Sequence, residues 1–309
     1  MKRFYLFLIF FSFFVIFIWL AFFIWQGIYL PKNSTFVEEK LFLIERGQSL
    51  FQIAENLEKE GLIKNKFFFD FYILAKGSQK KLQAGQYSLS PSMAVEEIAK
   101  KIISGNVAKI IVTIPEGFTV KQIEERLGLK LPGENLEGFL FPDTYQFPLG
   151  VSGEEVVRKM KENFEKKLTP DLREEIERQG KTIFEVVTMA SLIEKEVKTK
   201  EDKELVSGIL WERLKNKIPL QVDATITYIT GKNDIKVSVE ETKIDSPYNT
   251  YKYLGLPKGP ICNPGLESIL AAIYPKKSEY WYYLSTPEGE TIFSKTLEEH
   301  NIAKAKYLK

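Results

Sequence analysis

The chain has 309 residues, with 43 basic and 41 acidic side chains and a formal net charge of +2. Such a balance supplies no strongly basic surface and argues against nucleic acid as a partner. A single cysteine, Cys262, and a single histidine, His300, exclude an intramolecular disulfide, a thiolate metal cluster and a His-rich zinc site. We therefore expect catalysis by carboxylates, with no metal and no cofactor.

The N-terminal segment predicts a membrane anchor. Phe4–Trp25 is apolar apart from one serine, and at about 1.5 Å per residue it can cross a hydrocarbon core of about 30 Å. It is longer than the apolar core of a signal peptide, and no small-residue cleavage site follows it. Lys2 and Arg3 precede it, which favours a cytoplasmic N-terminus. We predict a cytoplasmic segment over residues 1–3, a transmembrane helix over 4–30 and an exported remainder.

Two segments after the anchor share one spacing pattern. FLIERGQSLFQIAENL ends at Leu57 and VTIPEGFTVKQIEERL ends at Leu127. Each pattern predicts an apolar strand, a glycine turn and a helix that begins with a capping box, in which Ser49 or Thr119 caps the helix and a glutamine three residues later reaches back. A weaker third copy lies in PSMAVEEIAKKI.

Two interpretations of this repetition stay open. It is either a recurrent way of starting a helix or part of a small module that resembles LysM, a fold of two helices on a short sheet that binds glycans containing N-acetylglucosamine. The second interpretation divides the chain into a linker over residues 31–40, a LysM-like subdomain over 41–108 and a larger domain over 109–309.

The catalytic candidate lies on the helix predicted for TIFEVVTMASLIEKEVK. At 100° per residue, Glu194 falls within the apolar sector, whereas Ser191 and Lys195 fall on the polar side. Burying an ionised carboxylate is costly, which favours the protonated form that a general acid needs to protonate a glycosidic oxygen. The alternative is a glutamate at the rim of the core that pairs with a lysine or an arginine such as Arg213.

The remaining segments predict an α+β fold. EDKELVSGILWERLKNK is a second amphipathic helix, IPLQVDATITYITG reads as a turn and an extended piece before a short apolar segment, and YWYYLSTPEGETIFS is a hairpin. LEGFLFPDTYQFPLG and DSPYNTYKYLGLPKGPICNPG are loops rich in breakers, aromatic rings and amides. They suit sugar binding, or they are rigid structural loops. His300 is expected on a surface helix, outside the chemistry.

The order of LEGFLFPDTY, ASLIEKE, LQVDATITY, SPYNTY, GLPKGPICNPG and FSKTLEEHN resembles the endolytic murein transglycosylase family (MltG, or YceG-like). The resemblance covers Leu41–Lys309. It implies an α+β protein with a single N-terminal transmembrane helix, a small LysM-like α/β subdomain and a mixed α/β catalytic domain outside the inner membrane. The implied partners are peptidoglycan glycan strands, cell-wall synthases and the lipid bilayer that holds the helix.

The implied activity is that of a lyase. It cleaves the MurNAc–GlcNAc β-1,4 bond within nascent strands, leaves 1,6-anhydro-MurNAc ends and so terminates glycan elongation. One carboxylate would act as acid and then as base, unlike the carboxylate pair of ordinary glycosidases. A glycoside hydrolase acting on the same bond and a non-catalytic wall-binding scaffold remain alternatives.

The resemblance also implies the site residues. The catalytic residue corresponds to Glu194, the first glutamate of SLIEKE. The polar positions expected to bind substrate are Glu137, Asp143, Tyr145, Gln221, Asp223, Tyr248, Asn249, Thr250 and Asn263. Two positions depart from the family pattern. Ala224 stands where a proline is usual, and Thr291 stands where a histidine is frequent, so that histidine cannot be needed here.

Overall fold

The computed structural model describes residues 2–35, 38–232 and 237–308. Within these residues it contains twelve α-helices and three two-stranded sheets, which confirms the predicted α+β class. The chain divides into two compact units. The first comprises Met1–Ile110 and Gln146–Val151, and the second comprises Ile111–Tyr145 and Ser152–Lys309.

The first element is the long helix α1, Lys2–Tyr29. Among the described residues it is the one helix long and apolar enough to cross a membrane, over Phe4–Tyr29. Its last two turns do not end in solvent, because Ile24 and Ile28 pack against the core of the first unit. At Gly27 the helix approaches Phe68 so closely that an added Cβ would clash with the ring. The end of α1 and the first unit therefore share one core.

The rest of the first unit has the order β-α-α-β-α. Its elements are β1 (Lys40–Ile44), α2 (Leu50–Lys59), α3 (Lys66–Ala75), β2 (Gly85–Leu89) and α4 (Val95–Ser104). The two strands are antiparallel, with Phe42 opposite Tyr87, and both rings are fully buried. The capping box predicted at Ser49 is confirmed, since Gln52 returns a hydrogen bond to the Ser49 N–H at 2.8 Å.

The second copy of the repeat also folds as expected locally. Strand β3 (Lys109–Thr113) pairs with β4 (Thr144–Pro148), and helix α5 (Val120–Leu127) begins at a capping box formed by Thr119 and Gln122.

The second unit is mainly helical. Its further elements are α6 (Gly153–Lys167), α7 (Pro170–Arg178), α8 (Ile183–Glu196), α9 (Lys200–Lys215), α10 (Asp223–Thr230), α11 (Leu266–Ile273), the antiparallel hairpin β5 (Tyr282–Ser285) and β6 (Thr291–Ser294), and α12 (Leu297–Tyr307). The hairpin and the absence of helix or strand between residues 245 and 265 confirm the predictions. Helix α8 lies at the centre, because every residue from Val186 to Ile193 is buried.

Four local expectations are wrong. Part of LEGFLFPDTYQFPLG is strand β4 rather than loop, because Tyr145 and Phe147 alternate into the core while the backbone pairs with β3. Ser191 is fully buried rather than on a polar face, because its hydroxyl donates to the Thr188 carbonyl at 2.7 Å and accepts from the Ile261 N–H at 3.0 Å. The segment after Val222 is helix α10 rather than an extended piece. His300 is buried against Tyr282, with ring centroids 5.2 Å apart, and burial lowers the pKa of His300 to about 4.

Candidate active site

Glu194 lies in the last turn of α8, and polar partners surround its carboxylate. Its Oε2 accepts hydrogen bonds from the Gly265 N–H at 3.0 Å and from the Ser268 hydroxyl at 2.6 Å. Lys203 Nζ lies 3.5 Å from Oε1, and the two side chains are only 4% and 9% exposed for lysine and glutamate respectively. Gly265 caps the N-terminus of α11, whose dipole favours a negative charge at this end.

The cation beside Glu194 is Lys203 rather than Arg213. The alternative expectation was a pair with a lysine or an arginine, and the lysine Lys203 lies beside Glu194. Arg213 donates instead to the carbonyl oxygens of Trp281 at 2.9 Å and Leu220 at 3.0 Å. Lys203 was missed, although its spacing of three and seven residues from the buried Val206 and Leu210 placed it on the inner face of α9.

A second carboxylate, Glu116, lies next to this pair. Burial raises the pKa of Glu116, and the charge of Glu194 raises it further, whereas Lys203 lowers it. The Glu116 carboxylate lies against Gly265, and a Cβ added there would displace that carboxylate. Sequence reasoning missed Glu116, although the first copy of the repeat has Arg46 at the matching position. The difference between the two copies was the available signal.

Glu137 and Asn263 form a second polar group. Glu137 accepts from the Val120 N–H at 3.1 Å and from the Asn263 amide at 3.1 Å. Burial raises the pKa of Glu137 to about 7, against the opposing effect of the hydrogen bonds from Val120 and Tyr228. Asn263 is fully buried, and its side-chain oxygen also accepts from the Leu140 N–H at 2.9 Å. Asn263 therefore holds Glu137 and its loop in place.

A cleft of about 320 Å³ opens beside Glu137. Its wall combines apolar and aromatic surface with a carboxylate and an amine: Val120, Leu131, Gly133, Asn135, Leu136, Glu137, Phe184, Tyr248, Lys258, Gly259 and Pro260. The Tyr248 ring is held by Tyr228, with centroids 5.1 Å apart. The volume and the mixture of flat rings and hydrogen-bonding groups suit a sugar unit of a glycan.

The start of α10 gathers a third group. Burial raises the pKa of Glu196 to about 7, and the nearby charge of Asp223 contributes, while the hydrogen bonds from Tyr283 and the Ala224 N–H oppose the shift. Tyr251 donates its hydroxyl proton to Asp223. Ala224 thus donates a hydrogen bond that a proline at this position could not, because proline has no N–H.

Gln221 and Thr250 shape the turn that leads into α10. Gln221 has a φ of +53° and donates its N–H to the Thr250 carbonyl at 3.1 Å. The Thr250 hydroxyl accepts from the Val222 N–H at 3.0 Å and is buried. The Gln221 side chain is exposed, so of these two residues only Gln221 can reach a ligand in solvent.

Asn249 holds its own loop together. Its buried amide donates to the carbonyl oxygens of Thr242 at 2.9 Å and Ile244 at 2.8 Å, and its side-chain oxygen accepts from the Tyr251 N–H at 2.9 Å. These contacts occupy the side chain with backbone groups.

Asp143 and Tyr145 make a separate group around Asn163. The Asn163 amide donates to the Asp143 carboxylate and to the Tyr145 hydroxyl, each at 3.0 Å, and the hydrogen bond to Asp143 lowers the pKa of that carboxyl. Tyr145 also donates to the Phe141 carbonyl at 2.6 Å and is buried. Of the predicted polar residues, Glu137 and Tyr248 therefore line the cleft, and buried Asn263 supports Glu137. The others lie elsewhere, around the start of α10, in the loop of Asn249 and around Asn163.

No metal centre accompanies these groups in the part of the chain that the structure describes. Over residues 2–35, 38–232 and 237–308, no three His, Cys, Asp or Glu side chains are placed to hold an ion.

Comparisons with known proteins agree on one family. The profile described as the YceG-like family matches residues 42–306. The chain is 34% identical to the endolytic murein transglycosylase of Bacillus subtilis, over 86% of this chain and 84% of that protein. It is 31% identical to the endolytic murein transglycosylase of Streptococcus pneumoniae, over 84% of this chain and 56% of that longer protein.

A solved structure leads to the same family. The crystal structure of a YceG-like protein from Listeria monocytogenes is 34% identical to this chain, with a TM-score of 0.59. The match covers 86% of this chain and 99% of that one. The length of these matches and their agreement with the motif order show that the chain belongs to the YceG-like family.

Proposed function

We propose that this protein is an endolytic murein transglycosylase that uses Glu194 as its acid and base. It cleaves the MurNAc–GlcNAc β-1,4 bond of nascent peptidoglycan strands and leaves 1,6-anhydro-MurNAc ends. The names and the coverage of the curated relatives support the activity. The observation that carries the assignment of Glu194 is its setting, a nearly buried carboxylate between Lys203 and the N-terminus of α11. Buried ion pairs contribute little to net stability, and charged groups with unusual surroundings are common at functional sites, so this pair favours a functional role for Glu194.

The proposed reaction uses one carboxylate twice. Protonated Glu194 gives its proton to the bridging oxygen, and the bond between that oxygen and the anomeric carbon breaks. Ser268, Gly265 and Lys203 then hold the ionised carboxylate. This carboxylate next removes the proton of the muramic 6-hydroxyl, whose oxygen bonds to the anomeric carbon and closes the anhydro ring. No water is consumed, and Glu194 regains its proton.

The polar groups around the cleft have supporting roles in this proposal. Glu137, Tyr248 and Lys258 contact the sugar in the cleft, and Gln221 and Asp223 contact the strand near α10. Buried Asn249, Thr250 and Asn263 position these loops, as do Asp143 and Tyr145 at their own loop.

We further propose the location and the domain roles. Helix α1 crosses the cytoplasmic membrane once with its N-terminus inside, so the catalytic unit faces the wall and works beside cell-wall synthases. Residues 41–108 form the LysM-like subdomain and residues 109–309 form the catalytic domain. The antiparallel β1–β2 pair with two intervening helices supports the first assignment.

The test uses the full chain in detergent with purified glycan strands, and mass spectrometry of the products. We expect fragments one water lighter than hydrolytic products from the wild type, and at least about a 100-fold loss with Glu194→Gln. Glu212→Gln, at an exposed position on α9, is the matched control and should cleave normally.

The alternatives give different products. Fragments with free reducing ends would identify a hydrolase. Binding of strands without cleavage by any variant would identify a scaffold, and full activity of Glu194→Gln would exclude the proposed mechanism.

A further inference from the structure

Helix α3 carries an exposed apolar stripe. Phe67, Phe71 and Leu74 are 50%, 39% and 48% exposed, and their spacing of four and seven residues places them on one side of the helix. The rings of Phe67 and Phe71 lie 6.0 Å apart. The core of the first unit uses other α3 residues, namely Phe68, Phe69, Tyr72 and Ile73. Packing within the unit therefore does not account for the stripe.

The position of α3 relative to α1 indicates what covers this stripe. The Phe68 ring lies 5.4 Å from the ring of Phe23, and Phe23 belongs to the continuous apolar run that ends at Trp25. At about 1.5 Å per residue, the stretch from Phe4 to Phe23 spans about 30 Å, which is the thickness of the hydrocarbon core. Helix α3 is therefore packed beside α1 at the depth where the hydrocarbon layer would end.

The charges around α3 also suit a position at the edge of the hydrocarbon layer. Exposed lysines flank the helix at both ends: Lys64, Lys66, Lys76, Lys80 and Lys81. Lysines near a membrane surface attract anionic lipid headgroups. The stripe has one carboxylate beside it, Asp70, and burial raises the pKa of that carboxyl against the effect of Lys66. A raised pKa reduces the cost of bringing Asp70 to an interface.

We propose that the stripe of Phe67, Phe71 and Leu74 inserts into the interfacial layer of the outer leaflet, and that the flanking lysines contact lipid headgroups. The first unit is then held at a fixed distance from the bilayer, as an interfacial helix would be, and does not move freely on a flexible linker. This inference rests on the membrane anchoring proposed above and is independent of the cleavage reaction.

The test places an environment-sensitive probe on the full chain in lipid vesicles. Phe71→Cys and Leu74→Cys are labelled with a nitrobenzoxadiazole fluorophore, and quenching by lipids with a nitroxide near the headgroup is measured. Ile302→Cys is the matched control, because Ile302 is equally apolar and 63% exposed but lies on α12 of the second unit. The unsubstituted chain, whose Cys262 is buried, reports background labelling.

We expect at least about threefold stronger quenching at Phe71 and Leu74 than at Ile302. Quenching at both positions no stronger than at Ile302 would overturn the inference. Extraction of the vesicles at alkaline pH checks separately that α1 is inserted, so a failed anchor is distinguished from an unseated first unit. Glycan cleavage is not part of the readout, and an inactive protein would give the same quenching result.

Discussion

At the scale of single residues, the site contains buried charged side chains that contribute little to the stability of the fold. Glu194, Lys203 and Glu116 lie together, and the first two are almost fully buried. Removing ions from water costs several kcal/mol each, and their mutual attraction repays this only with good hydrogen bonds. The Gly265 N–H and the Ser268 hydroxyl supply such bonds to Glu194.

Removing the cation should affect both stability and activity. Lys203→Met leaves two carboxylates without their shared counterion, so we expect a loss of about 3 kcal/mol in the free energy of unfolding and at least about a tenfold loss of cleavage. Lys200→Met, at an exposed position on the same helix, should change neither. Urea denaturation and product analysis measure the two effects, and wild-type behaviour of Lys203→Met would contradict the role given to this cation.

Glu137 predicts how stability depends on pH. The folded-state pKa of Glu137 is about 7, above the ordinary value of 4.5. The native protein therefore keeps a proton that the unfolded chain has already released, and stability falls as the pH rises from about 4.5 to about 7. In Glu137→Gln this fall should be smaller by about 3 kcal/mol, while the similar contribution of Glu196 remains.

The check is a series of urea titrations between pH 4 and pH 8, followed by tryptophan fluorescence. Glu134→Gln, at an exposed position in the same loop, should follow the wild type over the whole range. A Glu137→Gln curve parallel to the wild type would show that Glu137 does not hold its proton in the folded state.

At the scale of elements, buried side-chain amides form the hydrogen bonds to the loop backbone that a helix or a sheet would otherwise provide. Asn263 links three loops, because it contacts Phe118, Leu140 and Glu137. Asn249 does the same within its own loop. A buried amide can satisfy several backbone groups that no helix or sheet serves, which explains why loops with so many prolines and glycines are well defined.

Removing one of these amides should loosen the loops. Asn263→Ala leaves the Leu140 N–H without its partner and removes the side-chain hydrogen bond to the Phe118 carbonyl, which keeps the bond from the Asn263 backbone N–H. We expect a cost of about 3 kcal/mol, and cleavage should fall because Glu137 loses its support. Asn216→Ala, at the exposed end of α9, should cost less than about 1 kcal/mol. Thermal unfolding and cleavage rates measure both, and equal effects of the two substitutions would contradict the linking role.

At the scale of the whole molecule, the end of α1 is part of the folded first unit and not only a connection to it. Ile24 and Ile28 belong to the core of the first unit, and Asn33 donates its N–H to the Pro91 carbonyl at 3.0 Å. The sequence predicted a helix followed by a linker, and an apolar run by itself cannot reveal which of its last residues pack on protein instead of lipid.

Two truncations test this shared core. A chain that begins at Ala21 keeps Ile24 and Ile28, whereas one that begins at Asn33 removes them and uncovers Phe68. We expect the shorter chain to lose about 2–4 kcal/mol of stability in the first unit. Hydrogen exchange of the α3 amides is the measurement, and equal protection in the two chains would count against the shared core.

Local patterns predicted much of the structure because they depend on neighbours in the chain. The capping boxes at Ser49 and Thr119 and the C-terminal hairpin need only residues a few positions apart. The prediction for the segment after Val222 was wrong because threonine and isoleucine suit a strand as well as a helix. Tertiary packing favours the helix α10. Ser191 was mistaken because a helical wheel assumes one solvent-facing side, and α8 has none over its central residues.

By itself, the sequence determined the apolar N-terminal span and the motif order that marks the family, and its single histidine and cysteine led to the expectation of carboxylate chemistry. These follow from composition and short-range spacing, which need no partner. Tertiary structure alone decided that Glu194 faces Lys203, Gly265 and Ser268, that Glu116 joins them and that α1 ends inside a protein core. The reason is that a helical wheel gives only the direction in which a side chain leaves the helix axis. The groups that contact the side chain come from other segments, which lie up to 78 residues away in the chain, as Glu116 does from Glu194.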